Sequence, residues 1–451
     1  MYFLFKKIIF LMEYIIKYLL IIISIFKIKT DLIILPFEMK EVPGKKNQQY
    51  IYTSFEIGEP QQKIEGEITF KNSTFFMIYN SSLVNVSFAP SSSQSFSLIS
   101  KNVSIRDLDE SLYLAQESFS FYSDMNCQIK KKYESIPVVV PSDKNTSLSP
   151  IIGLQIEKQN KSLNFIDILK AKKITNNYYW TIKFNNLNNG TIIIGDLPHI
   201  YDHDNYQENN LQFVNTYSTK NKLYWGMHIS SIKYYGITKT DNIIGKIDPK
   251  ILEIFGSYEY ITSIGKIFFQ KYIDEQICRR IWDEINGEDV FRFICEKSKF
   301  NTTDINEFPP IKLVNTEMNY TFEFGGKELF HEKDDKYIFQ IVAKTGRTDG
   351  EWILGRIFLF KYQIMFDNDN NLIGIYKLAN ESKQPEKVDD KKNNRNIYII
   401  LIILLITFLI IISGLLVYMI YNKKGICKNR KKRITELDDD FVYIPKDDDF
   451  I

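Results

Sequence analysis

The chain has 451 residues, enough for one large bilobal domain or two ordinary ones. Lys plus Arg (57) nearly balances Asp plus Glu (55), so no global field points to a nucleic-acid partner or an acidic substrate. The four histidines, His199, His203, His228 and His331, lack metal-ligand spacing, so neither a metal nor any other cofactor is expected.

The N-terminal apolar run covers residues 4–26, with Lys6 and Lys7 as its positive flank. Glu13 and Lys17 interrupt it, and a charge at mid-bilayer costs about 2.5–3.5 kcal/mol on insertion scales. A start at Met12 leaves a shorter apolar run, residues 19–26, near the length of a signal-peptide core. No small-x-small cleavage pattern is evident. Residues 1–27 therefore read as a signal peptide or an uncleaved signal-anchor, and both readings stand.

From Tyr50 to about Leu378 short alternating runs recur, such as Tyr52-Thr-Ser-Phe-Glu-Ile57, Trp180-Thr-Ile-Lys-Phe184 and Tyr337-Ile-Phe-Gln-Ile-Val342. Clusters of Gly, Pro, Asn and Asp punctuate them, so the region is predicted to be mostly β. Two helical patterns stand out, over residues 162–172 and 264–285. Residues 379–396 are polar and charged, and read as a stalk.

Residues 397–421 carry no charge and exceed the roughly 30 Å hydrocarbon core at about 1.5 Å per residue, which predicts a transmembrane helix. Lys423, Lys424, Lys428, Arg430, Lys431, Lys432 and Arg433 follow it more densely than Lys387, Lys391, Lys392 and Arg395 precede it. Residues 422–451 are accordingly expected to be a cytosolic tail, with the preceding region lumenal or extracellular. Sequons at Asn72, Asn80, Asn85, Asn102, Asn145, Asn160, Asn189, Asn301, Asn319 and Asn380 all lie on that side. An oxidising compartment permits a Cys278–Cys295 disulfide across a short loop. Cys127 is then buried and inert or paired with another chain, and Cys427 is palmitoylated or a plain cytosolic thiol.

Several ordered stretches resemble the pepsin-like aspartic protease family. Trp352-Ile-Leu-Gly355-Arg-Ile-Phe-Leu-Phe-Lys-Tyr362-Gln-Ile-Met-Phe366-Asp367 and Asn370-Asn-Leu-Ile-Gly374 are similar to its W-I-L-G-x-x-F-L-x-x-Y-x-x-x-F-D and N-N-x-I-G. Phe308-Pro-Pro-Ile311 resembles L-P-x-I, and Ile57-Gly-Glu-Pro-Gln-Gln-Lys63 resembles I-G-T-P-P-Q-K. Phe88-Ala-Pro-Ser-Ser-Ser-Gln-Ser-Phe96, Ile151-Ile-Gly-Leu154, Gly190-Thr-Ile-Ile-Ile-Gly195 and Leu223-Tyr-Trp225 have counterparts in the same order. The resemblance spans about residues 48–378. It implies an all-β, bilobal fold with a central cleft, its N-terminal lobe at 48–216 and its C-terminal lobe at 217–378.

Each lobe of that family supplies an Asp at a D-T/S-G turn, bracketed by an apolar-apolar-Gly segment. Here Ile151-Ile-Gly153 and Ile353-Leu-Gly355 supply the brackets. Counting from Ile57-Gly58 puts Thr69 where the first Asp belongs, followed by Phe70-Lys71. In the second lobe the match through Gly256 and Ser257 puts Ile254 at the Asp position, and a rival register puts Asp248 there. The flap tyrosine aligns with Asp107, and its glycines with Leu108 and Glu110.

Family chemistry needs two carboxylates sharing one proton, one ionised to activate water and one protonated to polarise the carbonyl. Thr and Ile supply no such proton transfer. The sequence thus predicts a membrane-anchored aspartic protease-like protein that is catalytically inactive and acts by binding a protein, peptide or glycan in its cleft. The alternative is an active aspartic endopeptidase working through carboxylates in another register.

Overall fold

The computed structural model describes residues 31–377, apart from 42–48, 71–74, 77–87, 104–111, 142–149, 157–163, 176, 218–223, 241–242, 286 and 345–349, and also Gly414. The candidate leader, stalk and tail, and the transmembrane segment apart from Gly414, lie outside these residues. No helix among the described residues is long and apolar enough to cross a membrane.

Alternation builds the sheets. In strand Gln49–Ile57, Ile51, Thr53, Phe55 and Ile57 are buried while the residues between them are partly exposed. That is the period of two expected for a strand with one face on a core. Strand Gln62–Thr69 follows the same rule up to Ile68, with Thr69 buried as well, and pairs antiparallel with it, Ile51 opposite Ile68 and Phe55 opposite Ile64.

The described strands form three sheets. The largest has thirteen strands, drawn from residues 33–215 and from the two returning strands Ile364–Asp367 and Leu372–Tyr376. A nine-stranded sheet and a four-stranded sheet are built from residues 226–354. The all-β, two-part expectation agrees with this division. The chain leaves the first lobe after strand Leu211–Asn215, builds the second, then comes back to lay its last strands beside Tyr179–Asn186.

An aromatic cluster sits where the parts join. Trp180 and Phe366 stack with centroids 4.0 Å apart. Trp225 meets Phe366 edge-on at 4.8 Å, and Phe70 meets Trp180 at 5.2 Å. Trp180 and Trp225 are fully buried, so each indole N–H needs an acceptor. Trp180 donates to Asn368 Oδ1 at 2.9 Å and Trp225 to the Leu154 carbonyl at 2.7 Å.

The first expected helix is present as Phe165–Ala171, capped by Asn164, whose Oδ1 accepts from the Ile166 and Asp167 amides. The second is shorter than the pattern over 264–285 predicts. Helical turns run from Tyr258 through Asp274. Strand Cys278–Ile285 then pairs with strand Glu288–Glu296 as a hairpin, with Gly287 at φ 77° in its turn. A positive φ is where glycine is permissive. The apolar positions 281 and 285 fit a helical spacing, but the pairing of this strand across the turn prevails. Cys278 and Cys295 are opposite in the hairpin and form a disulfide, with Cα atoms 3.9 Å apart. The bridge therefore ties the two strands of one hairpin.

Candidate functional site at the floor between the lobes

The two brackets define equivalent places. In the first lobe Gln62–Thr69 runs parallel to Ile151–Gly153, with Ile68 beside Ile152 and Thr69 beside Gly153. In the second, Ile243–Ile247 runs parallel to Glu351–Leu354, with Lys246 beside Ile353 and Ile247 beside Leu354. Asp248 follows Ile247 as Gly355 follows Leu354, and the Asp248 amide donates to the Leu354 carbonyl at 3.2 Å. By register, Asp248 is the second-lobe counterpart of Thr69.

Ile254 holds a different place. It lies antiparallel to Leu354 and parallel to Ile341, 1 % exposed. Its first-lobe counterpart is Phe75, antiparallel to Ile152. The register through Gly256 and Ser257 is therefore corrected. Those residues are kept for packing and capping. A Cβ on Gly256 would stand 2.7 Å from the Trp352 indole, and Ser257 Oγ accepts from the Tyr260 amide at the head of its helix. Gly355 is needed for space too, because a Cβ there would lie 2.2 Å from the Glu253 carbonyl and 2.5 Å from that of Ile251.

Around these two positions the floor is charged and largely paired. Asp248 Oδ1 accepts from the Lys250 amide at 3.1 Å, closing a tight turn through Pro249. Lys250 Nζ donates to Glu67 Oε1 across the junction, and lies 4.4 Å from the centroid of the Tyr50 ring. Glu67 and Thr69 are two residues apart on one strand and share a face. Arg356, directly after the bracket glycine, is 2 % exposed and donates to Gln49 Oε1 of the first lobe at 2.7 Å. Burial pulls the Arg356 guanidinium down to about 10, against the opposing fields of Glu253 and Asp248. Glu253 in turn accepts from Arg292 at 3.0 Å, a buried pair. On the first-lobe side, burial and then the Glu67 charge push the Tyr52 phenol up to about 12.

The chemistry this allows is limited. Thr69 offers a hydroxyl, not a carboxylate, beside Gly153. The nearest first-lobe carboxylate on the same strand face, Glu67, is held by a lysine. Asp248 stands in the field of a buried guanidinium. Asp107 and Lys71 lie outside the described residues, so the flap expectation stays an expectation.

The remaining sequence candidates are dispersed. Asn301 and Asn319 are exposed, and Asn301 Oδ1 caps helix Thr302–Asn306. Asn189 opens a strand, and Asn102 lies in strand Ser97–Val103. Asn72, Asn80, Asn85, Asn145, Asn160 and Asn380 fall outside the described residues. Among the described residues no group of His, Cys, Asp and Glu is arranged to hold a metal. Cys127 is unbridged and partly buried. Burial and the Asp124 charge push its thiol up, away from the reactive thiolate. It borders an open groove of about 940 Å³ beside strand Ile33–Glu41, whose lining also includes Tyr52.

Fold and floor together define the class: a two-lobed, pepsin-like fold. Among solved structures, conglutin gamma, a basic 7S globulin from lupine seeds, superposes with a TM-score of 0.55 at 11 % identity, covering 77 % of this chain and 95 % of that one. Basic 7S globulin from soybean superposes at 0.51 and 11 % identity, covering 77 % of this chain and 97 % of its own. At this identity the likeness is one of fold, the aspartic protease-like fold of those globulins. No family model matches the sequence, and no curated protein matches it significantly.

Proposed function

We propose that this chain is a non-catalytic, aspartic protease-like protein that acts by binding, held at a membrane by residues 397–421 with its tail in the cytosol. The observation that carries the reading is Thr69 beside Gly153, the place that register pairs with Asp248. A lone aspartate cannot both activate water and polarise the carbonyl, because the dyad divides those tasks between two carboxylates. The lobes at 48–216 and 217–378 then present a cleft and loops to a protein, peptide or glycan.

Asp248 favours a second reading. A second carboxylate paired with Asp248 would make the chain an aspartic endopeptidase. Calorimetric titration with pepstatin between pH 3 and 6 separates the two. The proposal expects no binding heat at micromolar inhibitor, and saturable binding would favour the enzyme.

A further inference from the structure

The charged floor does more than lack a dyad. Lys250 belongs to the turn after Asp248 in the second lobe, and its two neighbours, Glu67 and the face of Tyr50, belong to the first lobe. Its side chain is 13 % exposed and that of Glu67 15 %. Arg356 makes a second crossing to Gln49 and Trp225 a third to the Leu154 carbonyl. All three crossings end within a few residues of a bracket or of the strand leading to Thr69.

We infer that the Glu67–Lys250 pair is an inter-lobe clasp that fixes one lobe against the other. The physical case is one of desolvation. A pair this sheltered is screened far less than a surface ion pair, and losing one partner strands a charge in a poorly solvated place. Lys250 gains further from the Tyr50 ring, since cation–π attraction strengthens on desolvation. Among the described residues, ion pairs such as Lys40–Glu65 and Lys312–Glu323 are well exposed and local to one sheet. They lack both the shelter and the reach to couple lobes.

The test is backbone hydrogen exchange read by mass spectrometry on the full-length chain, comparing wild type, Glu67→Gln, Lys250→Met and the double variant. In each single variant, amides of residues 67–70, 152–154, 248, 250 and 251 should exchange at least about tenfold faster, because a sheltered charge has lost its partner. The hairpin of residues 278–296, remote in sequence from the junction, should keep its wild-type rate, which also shows that the variants are folded. The double variant should be no faster than the faster single, since both charges are gone and the effects are not additive. Wild-type rates at the junction in the single variants would overturn the clasp. So would acceleration spread equally over the hairpin, or additive effects in the double variant.

Discussion

Asp248 stands beside the second-lobe bracket as Thr69 stands beside the first, each following a parallel pairing that ends at an apolar-apolar-Gly segment. One of these two equivalent places carries a carboxylate and the other a hydroxyl. Asp248 sits in the field of Arg356, and the turn after it reaches across to Glu67.

Placing a carboxylate at the first-lobe position should not produce catalysis. Thr69 is 5 % exposed, so Thr69→Asp buries a new charge near Glu67 and is expected to cost about 1–3 kcal/mol. Lys250, paired with Glu67, and the buried Arg356 place positive charge beside this floor, a setting unlike that of two carboxylates sharing one proton. Urea denaturation should show the lower midpoint, and peptide hydrolysis at acid pH should stay at the blank. Ile254→Asp, at a core position, should be more damaging and equally inactive. Recovery of cleavage in Thr69→Asp alone would mean the surrounding cations do not control the site.

Alkaline pH should weaken the fold. Tyr52 and Tyr206 are pushed up to about 12, chiefly by burial, from an ordinary 10.0. A raised folded-state value contributes stability below pH 10, where neither state ionises the phenol. That contribution is lost as pH rises from 10 to 12, because the unfolded chain releases the proton first. Denaturant midpoints should fall across this window, and less steeply in Tyr52→Phe. Phenolate absorbance titrating wholly near pH 10 in the folded protein would contradict the burial argument.

Much of this architecture is legible in the sequence, for identifiable reasons. The brackets, the Trp352 strand and the Trp225 entry are local runs whose order survives in the fold. The second-lobe register misleads because Gly256 and Ser257 mimic a D-S-G turn while serving Trp352 packing and helix capping. The hairpin after Cys278 misleads because its apolar spacing suits either period, and pairing with residues 288–296 decides it. The Glu67–Lys250 contact joins residues 183 apart and depends on how the lobes dock, so no local pattern announces it.

The Cys278–Cys295 bridge closes a loop of separation 17. The chain-entropy view gives about 3 kcal/mol for a loop of that size, so Cys278→Ser with Cys295→Ser should lower the denaturation midpoint accordingly. Peptide mapping of unreduced protein checks the pairing directly. Two free thiols in material from the secretory compartment would show that the bridge does not form there.

The proposed topology places residues from about Asn422 in the cytosol, on the strength of the basic cluster after Tyr421. Each Lys or Arg near an anionic leaflet contributes about 1 kcal/mol to that orientation. In sealed vesicles with the cytosolic face outward, added protease should remove the tail and spare the lobes. A tail that persists until detergent is added would reverse the orientation.

The central claim is that the floor between the lobes carries out no peptide hydrolysis. Its most direct measurement is incubation of the purified full-length protein with a broad peptide library between pH 3 and 6, with and without pepstatin. The account predicts product no different from the protein-free blank at every pH, because Thr69 supplies no carboxylate and Glu67 is held by Lys250. Pepstatin-sensitive cleavage that disappears in Asp248→Asn would contradict it, and would make this chain an aspartic endopeptidase with an unconventional partner for Asp248.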